Sequence, residues 1–412
     1  MPTVDSIADR YRRIRTTSER LRAPLSAEDC QAQSMPDASP VKWHLAHTTW
    51  FFETFVLEPG RAGYQPFAPA YRVLFNSYYQ QVGDQHPRPQ RGLLTRPSLD
   101  EVLDYRAHVD RQLLDWLTGD GATAEGLASV VEVGLHHEQQ HQELLLTDAK
   151  HLLGGNPLAP AYATAAPPDS VERPFAWRHY DGGVREIGAG ATGFAFDNER
   201  PRHAALLQPY ALASRLTTSG EYLAFIDDGG YRRPELWLSD GWAAVQSRGW
   251  QAPLYWDRRD GEWCEFTLSG RRRLDRHAPV CHVSLYEADA FATWAGARLP
   301  TEFEWEVAAA ERPPTGNLLD SGHLHPIGAA GGGEPAQLFG DVWEWTRSAY
   351  DPYPGFRPLA GTLGEYNGKF MCNQLVLRGG SCATPADHIR ASYRNFFPPD
   401  ARWQFSGIRL AR

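Results

Sequence analysis

Residue 155 divides the chain into two textures that no single regular architecture satisfies. Before it, apolar residues recur at helical spacing. After Gly154-Gly155 that periodicity nearly vanishes, and eleven of the 14 tryptophans lie beyond residue 170. Five prolines fall between Gly155 and Phe175, the signature of a linker. The pattern predicts two unlike domains: a helical one over 1–155, a linker over 156–174, and a domain of short strands and turns over 175–412. The 412 residues suffice for two cores without disulfides.

Four helices are expected in the first domain, over 7–21, 41–57, 98–117 and 124–153. The third opens on Ser98-Leu99-Asp100-Glu101, a capping box. Four such helices suggest a bundle. The stretch of about 40 residues between the second and third, 60–97, is too long for a plain connection and is expected to carry function. In the second domain only 217–225, 286–295 and 302–310 read as short helices.

Composition removes several classes of function. Asp and Glu outnumber Lys and Arg by 50 to 41, which disfavours nucleic acid as a partner. No apolar run approaches the length of a membrane span, and the first residues show no secretory leader. Five cysteines without framework spacing fit a reducing compartment. A cytoplasmic protein acting on small molecules is therefore expected.

The fourth helix carries His136-His137-Glu138-Gln139-Gln140-His141. His137 and His141 stand at i and i+4, on one helix face, a metal-chelating spacing. The same five residues fit the His-Glu-x-x-His pattern of zinc metalloproteases, with Glu138 as base, but no third protease ligand stands out downstream. A third imidazole is available on the aromatic second helix, where His47 has His44 as a rival three residues earlier. Three neutral imidazoles leave coordination positions open, which suits a reactive metal; spacing alone does not choose between iron, zinc, copper and nickel. Gln140 faces nearly the same way as His137, where it could hydrogen-bond a metal-held ligand. Glu143 and Asp148 could orient the histidines.

The bundle resembles the DinB-like metal-binding domain. The second half resembles the formylglycine-generating-enzyme domain, on Val283-Ser284-Leu285-Tyr286-Glu287-Ala288, Arg298-Leu299-Pro300-Thr301-Glu302, Gly340-Asp341-Val342-Trp343-Glu344-Trp345, Arg378-Gly379-Gly380-Ser381 and Gly407-Ile408-Arg409. The resemblance implies a C-type-lectin-like fold, and so an α+β chain of two domains. Thr384 and Ile389 stand where the oxidase members have their two cysteines, so formylglycine formation is not expected.

The order of bundle, linker and lectin-like domain is similar to that of the ergothioneine synthase (sulfoxide synthase) family and its selenoneine synthase relatives. The resemblance implies Fe(II) held by His47, His137 and His141, with O2 as co-substrate. It implies Nα-trimethylhistidine as one substrate and a thiol or selenium donor as the other. It places Tyr78 and Tyr79, in Asn76-Ser77-Tyr78-Tyr79, at the iron, where a phenol can supply a proton or an electron. Asn395 and Phe396 would bind the trimethylhistidine, Phe396 by cation–π attraction. Arg88 and Arg91 are expected to clamp a carboxylate of the donor through the planar guanidinium fork. The active site is expected where the two domains meet. Other readings of the residues are a metal-stabilised binding module without catalysis and a metal-dependent thiol transferase.

Overall fold

The computed structural model describes residues 6–119, 126–310, 312–329 and 335–412. Two compact units emerge. Unit 1 is Met1–Leu158 together with Ala360–Tyr366; unit 2 is Ala159–Leu359 and Asn367–Arg412. A seven-residue piece from late in the chain thus belongs to the helical unit, an excursion that lies outside the boundaries expected from sequence.

Unit 1 is built on four helices: α1 (Ile7–Arg22), α2 (Val41–Phe52), α3 (Leu99–Thr118) and α4 (Leu127–Gly154). Positions 124 and 125, expected to open α4, lie outside the described residues. Ser6 caps α1 and Ser98 with Glu101 caps α3, each hydroxyl accepting the third amide of its helix. All twelve residues of α2 are buried, since it packs against both α3 and α4. Its continuation is a π-helical turn, Glu53–Leu57. There the Glu53 carboxylate accepts Tyr64 Oη at 2.7 Å, the Phe67 amide at 2.9 Å and Tyr105 Oη at 2.6 Å. Three bonds to one buried carboxylate fasten the start of the long loop to the bundle.

Gly134 sets the distance between α2 and α4. A Cβ there would lie 2.5 Å from the Phe52 ring and 2.9 Å from Phe51. Only a glycine lets the two backbones approach this closely, and the approach falls one turn before His137. Across the core, the Glu138 carboxylate accepts Arg15 Nη1 at 2.8 Å, Ser18 Oγ at 2.6 Å and Arg106 Nη2, tying α1, α3 and α4 together.

Unit 2 has four small sheets among its described residues. β1 (Trp177–Tyr180) pairs with β4 (Tyr210–Ala213), and β2 (Gly183–Ile187) with β3 (His203–Leu207), both antiparallel. β5 (Trp256–Arg259), β6 (Glu262–Thr267) and β7 (Gly270–Arg273) form a meander. β8 (Trp343–Ala349), β9 (Leu375–Arg378), β10 (Asn395–Phe397) and β11 (Ser406–Gly407) order as β10-β9-β8-β11, with β8 and β11 parallel. Helices α5 (Ser219–Asp227), α6 (Ser239–Arg248), α7 (Leu285–Trp294) and α8 (Glu302–Ala309) accompany them. The sequence motifs now have physical meanings. Ser284 with Glu287, and Thr301 with Glu304, are capping boxes. Glu344 accepts from Nε and Nη2 of the fully buried Arg409, at 2.7 and 2.9 Å. Gly379 and Gly380 adopt φ of +97° and +79°, closed to most side chains. Helix α6 is absent from the sequence expectation. Its buried positions are Gly241, Ala244 and Val245, too small to write an apolar stripe.

Candidate metal centre

His47, His137 and His141 converge. One ring nitrogen from each lies within 4.8 Å of the others, the only such group among the described residues. Helix α2 supplies the first and one turn of α4 the other two. The His47 ring lies between two indoles of its own helix, stacked on Trp43 at 4.6 Å and Trp50 at 5.5 Å. Its Nδ1–H donates to the Phe75 carbonyl at 2.6 Å, which leaves the Nε2 lone pair facing inward. His137 packs against Phe51 and turns Nε2 to within 3.2 Å of His47 Nε2.

The donor set fits a cation. Burial holds all three imidazoles below their ordinary pKa, His137 at about 3, so they are neutral at physiological pH. His47 Nε2 and His137 Nε2 stand 3.2 Å apart, and with the His137 proton on Nδ1 both lone pairs would face a shared metal ion. His137 Nδ1 is buried without a hydrogen-bond partner among the described residues. His44 does not join the triad. Its Nδ1 lies 2.8 Å from His141 Nδ1 and its Nε2 lies 3.1 Å from Asp148 Oδ2. Asp148 thus contacts His44, which is not one of the three, and Glu143 is buried on the same helix.

Glu138 faces away from the triad, into the arginine clamp. Burial alone would raise its pKa, but Arg106 and Arg15 outweigh burial and hold it at about 2. A carboxylate fixed by two guanidiniums is not available as a general base, so the metalloprotease pattern is a coincidence of spacing.

One residue here went unnoticed in sequence. Tyr366 packs its ring 5.6 Å from His137, and its hydroxyl donates to Gln140 Oε1. The preceding Glu365 receives the backbone amides of Gln80 and Gln81, each at 3.0 Å. The segment Ala360–Tyr366 therefore holds the loop immediately after Tyr78 and Tyr79. Tyr79 is fully buried against Trp50 and Phe55, with Tyr78 at 4.6 Å, and burial raises its phenol pKa well above 10. Asn76 closes this turn, accepting the Tyr79 amide at 3.0 Å and donating to the Tyr79, Gly83 and Asp84 carbonyls.

Arg91 lies flat on the Trp43 ring, 3.4 Å from its centroid, with Ser39 Oγ at 2.9 Å. It is buried and forms no ion pair among the described residues. Burial and the neighbouring Arg88 press its pKa down, the mark of a cation short of a counter-charge. Arg88 itself is exposed and donates to the Asp37 carbonyl. In unit 2, Asn395 Oδ1 accepts the Phe396 amide at 2.9 Å, and Phe396 stacks on Tyr350 at 4.0 Å. Thr384 spends its hydroxyl on the Ser381 amide, at 2.8 Å, and all five cysteines are free thiols.

Residues 10–145 match the DinB superfamily. Residues 177–332 and 334–412 match the sulfatase-modifying factor enzyme 1-like domain. A hercynine oxygenase of Mycolicibacterium thermoresistibile is 35% identical over 93% of this chain and 89% of its own length. That of Mycobacterium tuberculosis is 34% identical over 100% of this chain and 99% of its own. A formylglycine-generating enzyme of Streptomyces coelicolor is 28% identical over 61% of this chain, covering 95% of the relative. No described helix is long and apolar enough to cross a membrane. With a bundle that gathers three histidines and a second unit of sulfatase-modifying-factor type, the chain belongs to the hercynine oxygenase family of ergothioneine synthases.

Proposed function

We propose that this chain is an Fe(II)- and O2-dependent cytoplasmic enzyme that joins sulfur or selenium to the imidazole ring of hercynine, the Nα-trimethylated histidine. The observation that carries this reading is the set of three converging, neutral imidazoles, with the Tyr366 hydroxyl bonded to Gln140 beside them. Iron bound there would supply activation of O2. For a thiol donor the balance is one ring C–H, one S–H and one O2 giving a C–S bond, a sulfoxide oxygen and one water.

The chain's own residues then have distinct tasks. His47, His137 and His141 hold the metal. Gln140 and Tyr366 hydrogen-bond whatever lies beside His137. Burial keeps the Tyr79 phenol protonated, and the hydroxyls of Tyr78, Tyr79 and Tyr366 are the groups that would give a proton where oxygen is reduced. Arg91 receives the donor's carboxylate, with Arg88 beside it in sequence. Asn395 and Phe396 contact the methylated histidine, the aromatic face suiting a quaternary ammonium.

Anaerobically prepared protein charged with Fe(II) is given hercynine, O2 and a mixture of cysteine, γ-glutamylcysteine and a selenosugar. Mass spectrometry then reads the products. A ring-linked sulfoxide or selenium adduct that depends on iron is the expected result. Absence of every adduct, with hercynine unconsumed, would overturn the proposal.

A further inference from the structure

Beside the triad lies a second pair, His44 and Asp148. The two sit on different helices, α2 and, near its C-terminal end, α4. Asp148 Oδ2 accepts the Ser39 amide at 2.8 Å and lies 3.1 Å from His44 Nε2. His44 Nδ1 lies 2.8 Å from His141 Nδ1. His44 and Asp148 are both buried.

With Asp148 ionised and His44 neutral, the two contacts fix a single hydrogen-bond polarity. An ionised carboxylate only accepts, so His44 Nε2 carries the proton and donates. A neutral His44 then has a lone pair on Nδ1 and accepts. The nitrogen it accepts from, His141 Nδ1, must therefore carry a proton. That leaves the lone pair of His141 on Nε2. Each step determines the next, and the last one selects the nitrogen that a metal meets.

We propose that His44 and Asp148 are positioning residues, which fix His141 in the tautomer and ring orientation that presents Nε2 to the metal. This rests on the metal reading of the triad. It also explains why a histidine one turn from His47 is buried yet takes no place among the ligands. A lone imidazole such as His141, the most exposed of the three, would otherwise sample both tautomers and lose part of its affinity.

The test uses Co(II) as the metal probe, in the full chain, with His44→Phe and Asp148→Leu compared with the parent protein. Affinity is read from the visible ligand-field bands. The exchangeable ring N–H protons of the ligands are read from the paramagnetically shifted proton NMR spectrum. Both variants are expected to bind Co(II) about 10- to 100-fold more weakly. Both are expected to lose the slowly exchanging His141 Nδ1–H signal while keeping that of His47. Affinity within twofold of the parent would overturn the proposal. So would weaker binding with the His141 signal unchanged, which is the result of a merely structural role. Should His44→Phe fail to recover the helical content of the parent, Asp148→Leu alone decides, because it leaves both rings in place. Failure of the parent protein itself to bind Co(II) would instead defeat the metal reading.

Discussion

The Tyr366 hydroxyl donates to the Gln140 side chain, although 226 positions of sequence separate them. One partner is three residues from His137 on α4; the other is the last residue of a segment that leaves the second half of the chain and belongs to the bundle. Tyr366 is 5% exposed, so this phenol meets the candidate metal centre and little water.

Tyr366→Phe is expected to keep the metal and lose the chemistry. The ring that packs on His137 remains, and only the hydroxyl goes. Co(II) affinity should stay within about threefold of the parent, while the rate of product formation falls about 10²- to 10⁴-fold, the usual range for a missing proton donor. A full rate in the variant would remove Tyr366 from the mechanism and leave the role to Tyr78 and Tyr79.

Glu138→Gln separates the iron reading from the protease pattern. The substitution leaves Arg15 and Arg106 buried beside a neutral amide, at a cost of about 3–5 kcal/mol of stability. Catalysis per folded molecule should survive. The pH dependence has a definite sign. The folded-state pKa of about 2 lies below the ordinary 4.5, so the stabilisation is complete above 4.5 and is lost as pH falls toward 2. The shift corresponds to about 3 kcal/mol. Urea unfolding of the metal-free protein at pH 7 and pH 4 should show the gap between parent and variant narrowing at the lower pH. A constant gap would mean that folding leaves the Glu138 pKa at its ordinary value, and a gap that widens at the lower pH would mean a neutral carboxyl in the fold.

Gly134→Ala sets two effects against each other. Alanine favours a helix interior over glycine by about 1 kcal/mol. Against that, the new methyl would stand 2.5 Å from the Phe52 ring, and overpacking costs about 1–3 kcal/mol. The second effect is expected to win, because Phe51 and Phe52 are fully buried and have nowhere to move. Thermal unfolding should drop, and Co(II) affinity with it, since α2 carries His47 and α4 carries His137. Unchanged affinity would show that the spacing of the two helices is not what aligns the imidazoles.

Legibility in the sequence followed the range of the interactions. His137 and His141 could be paired because one helical turn carries both. His47 could be added because it sits on a strongly aromatic helix, which the structure buries on every side. The capping box at Ser98 is local and was read from the sequence; those at Ser284 and Thr301 are of the same kind but emerge from the structure. Tyr366 was not readable. It lies in a short 3₁₀ and loop stretch with no apolar period, and its place is set by Glu365 holding two amides nearly 300 positions away. His44 was visible as a histidine but not as a partner of His141, because that role depends on Asp148 arriving from another helix. The direction of Glu138 was equally hidden, for it is Arg15 and Arg106, on two other helices, that turn it from the metal.

Arg91 offers a test of the proposed donors. A buried guanidinium stacked on Trp43, with no ion pair among the described residues, favours an incoming anion, and charged hydrogen bonds contribute about 1.5–3 kcal/mol each. Arg91→Met, which keeps apolar volume over the indole, should raise KM for cysteine or γ-glutamylcysteine by about 10- to 150-fold. KM for hercynine should stay the same. A neutral selenosugar offers only hydroxyls, so its KM should rise by much less. Measuring KM for all three in the variant checks the assignment. Equal losses for hercynine and for the donor would mean that Arg91 supports the bundle through Ser39 and Trp43, not the second substrate.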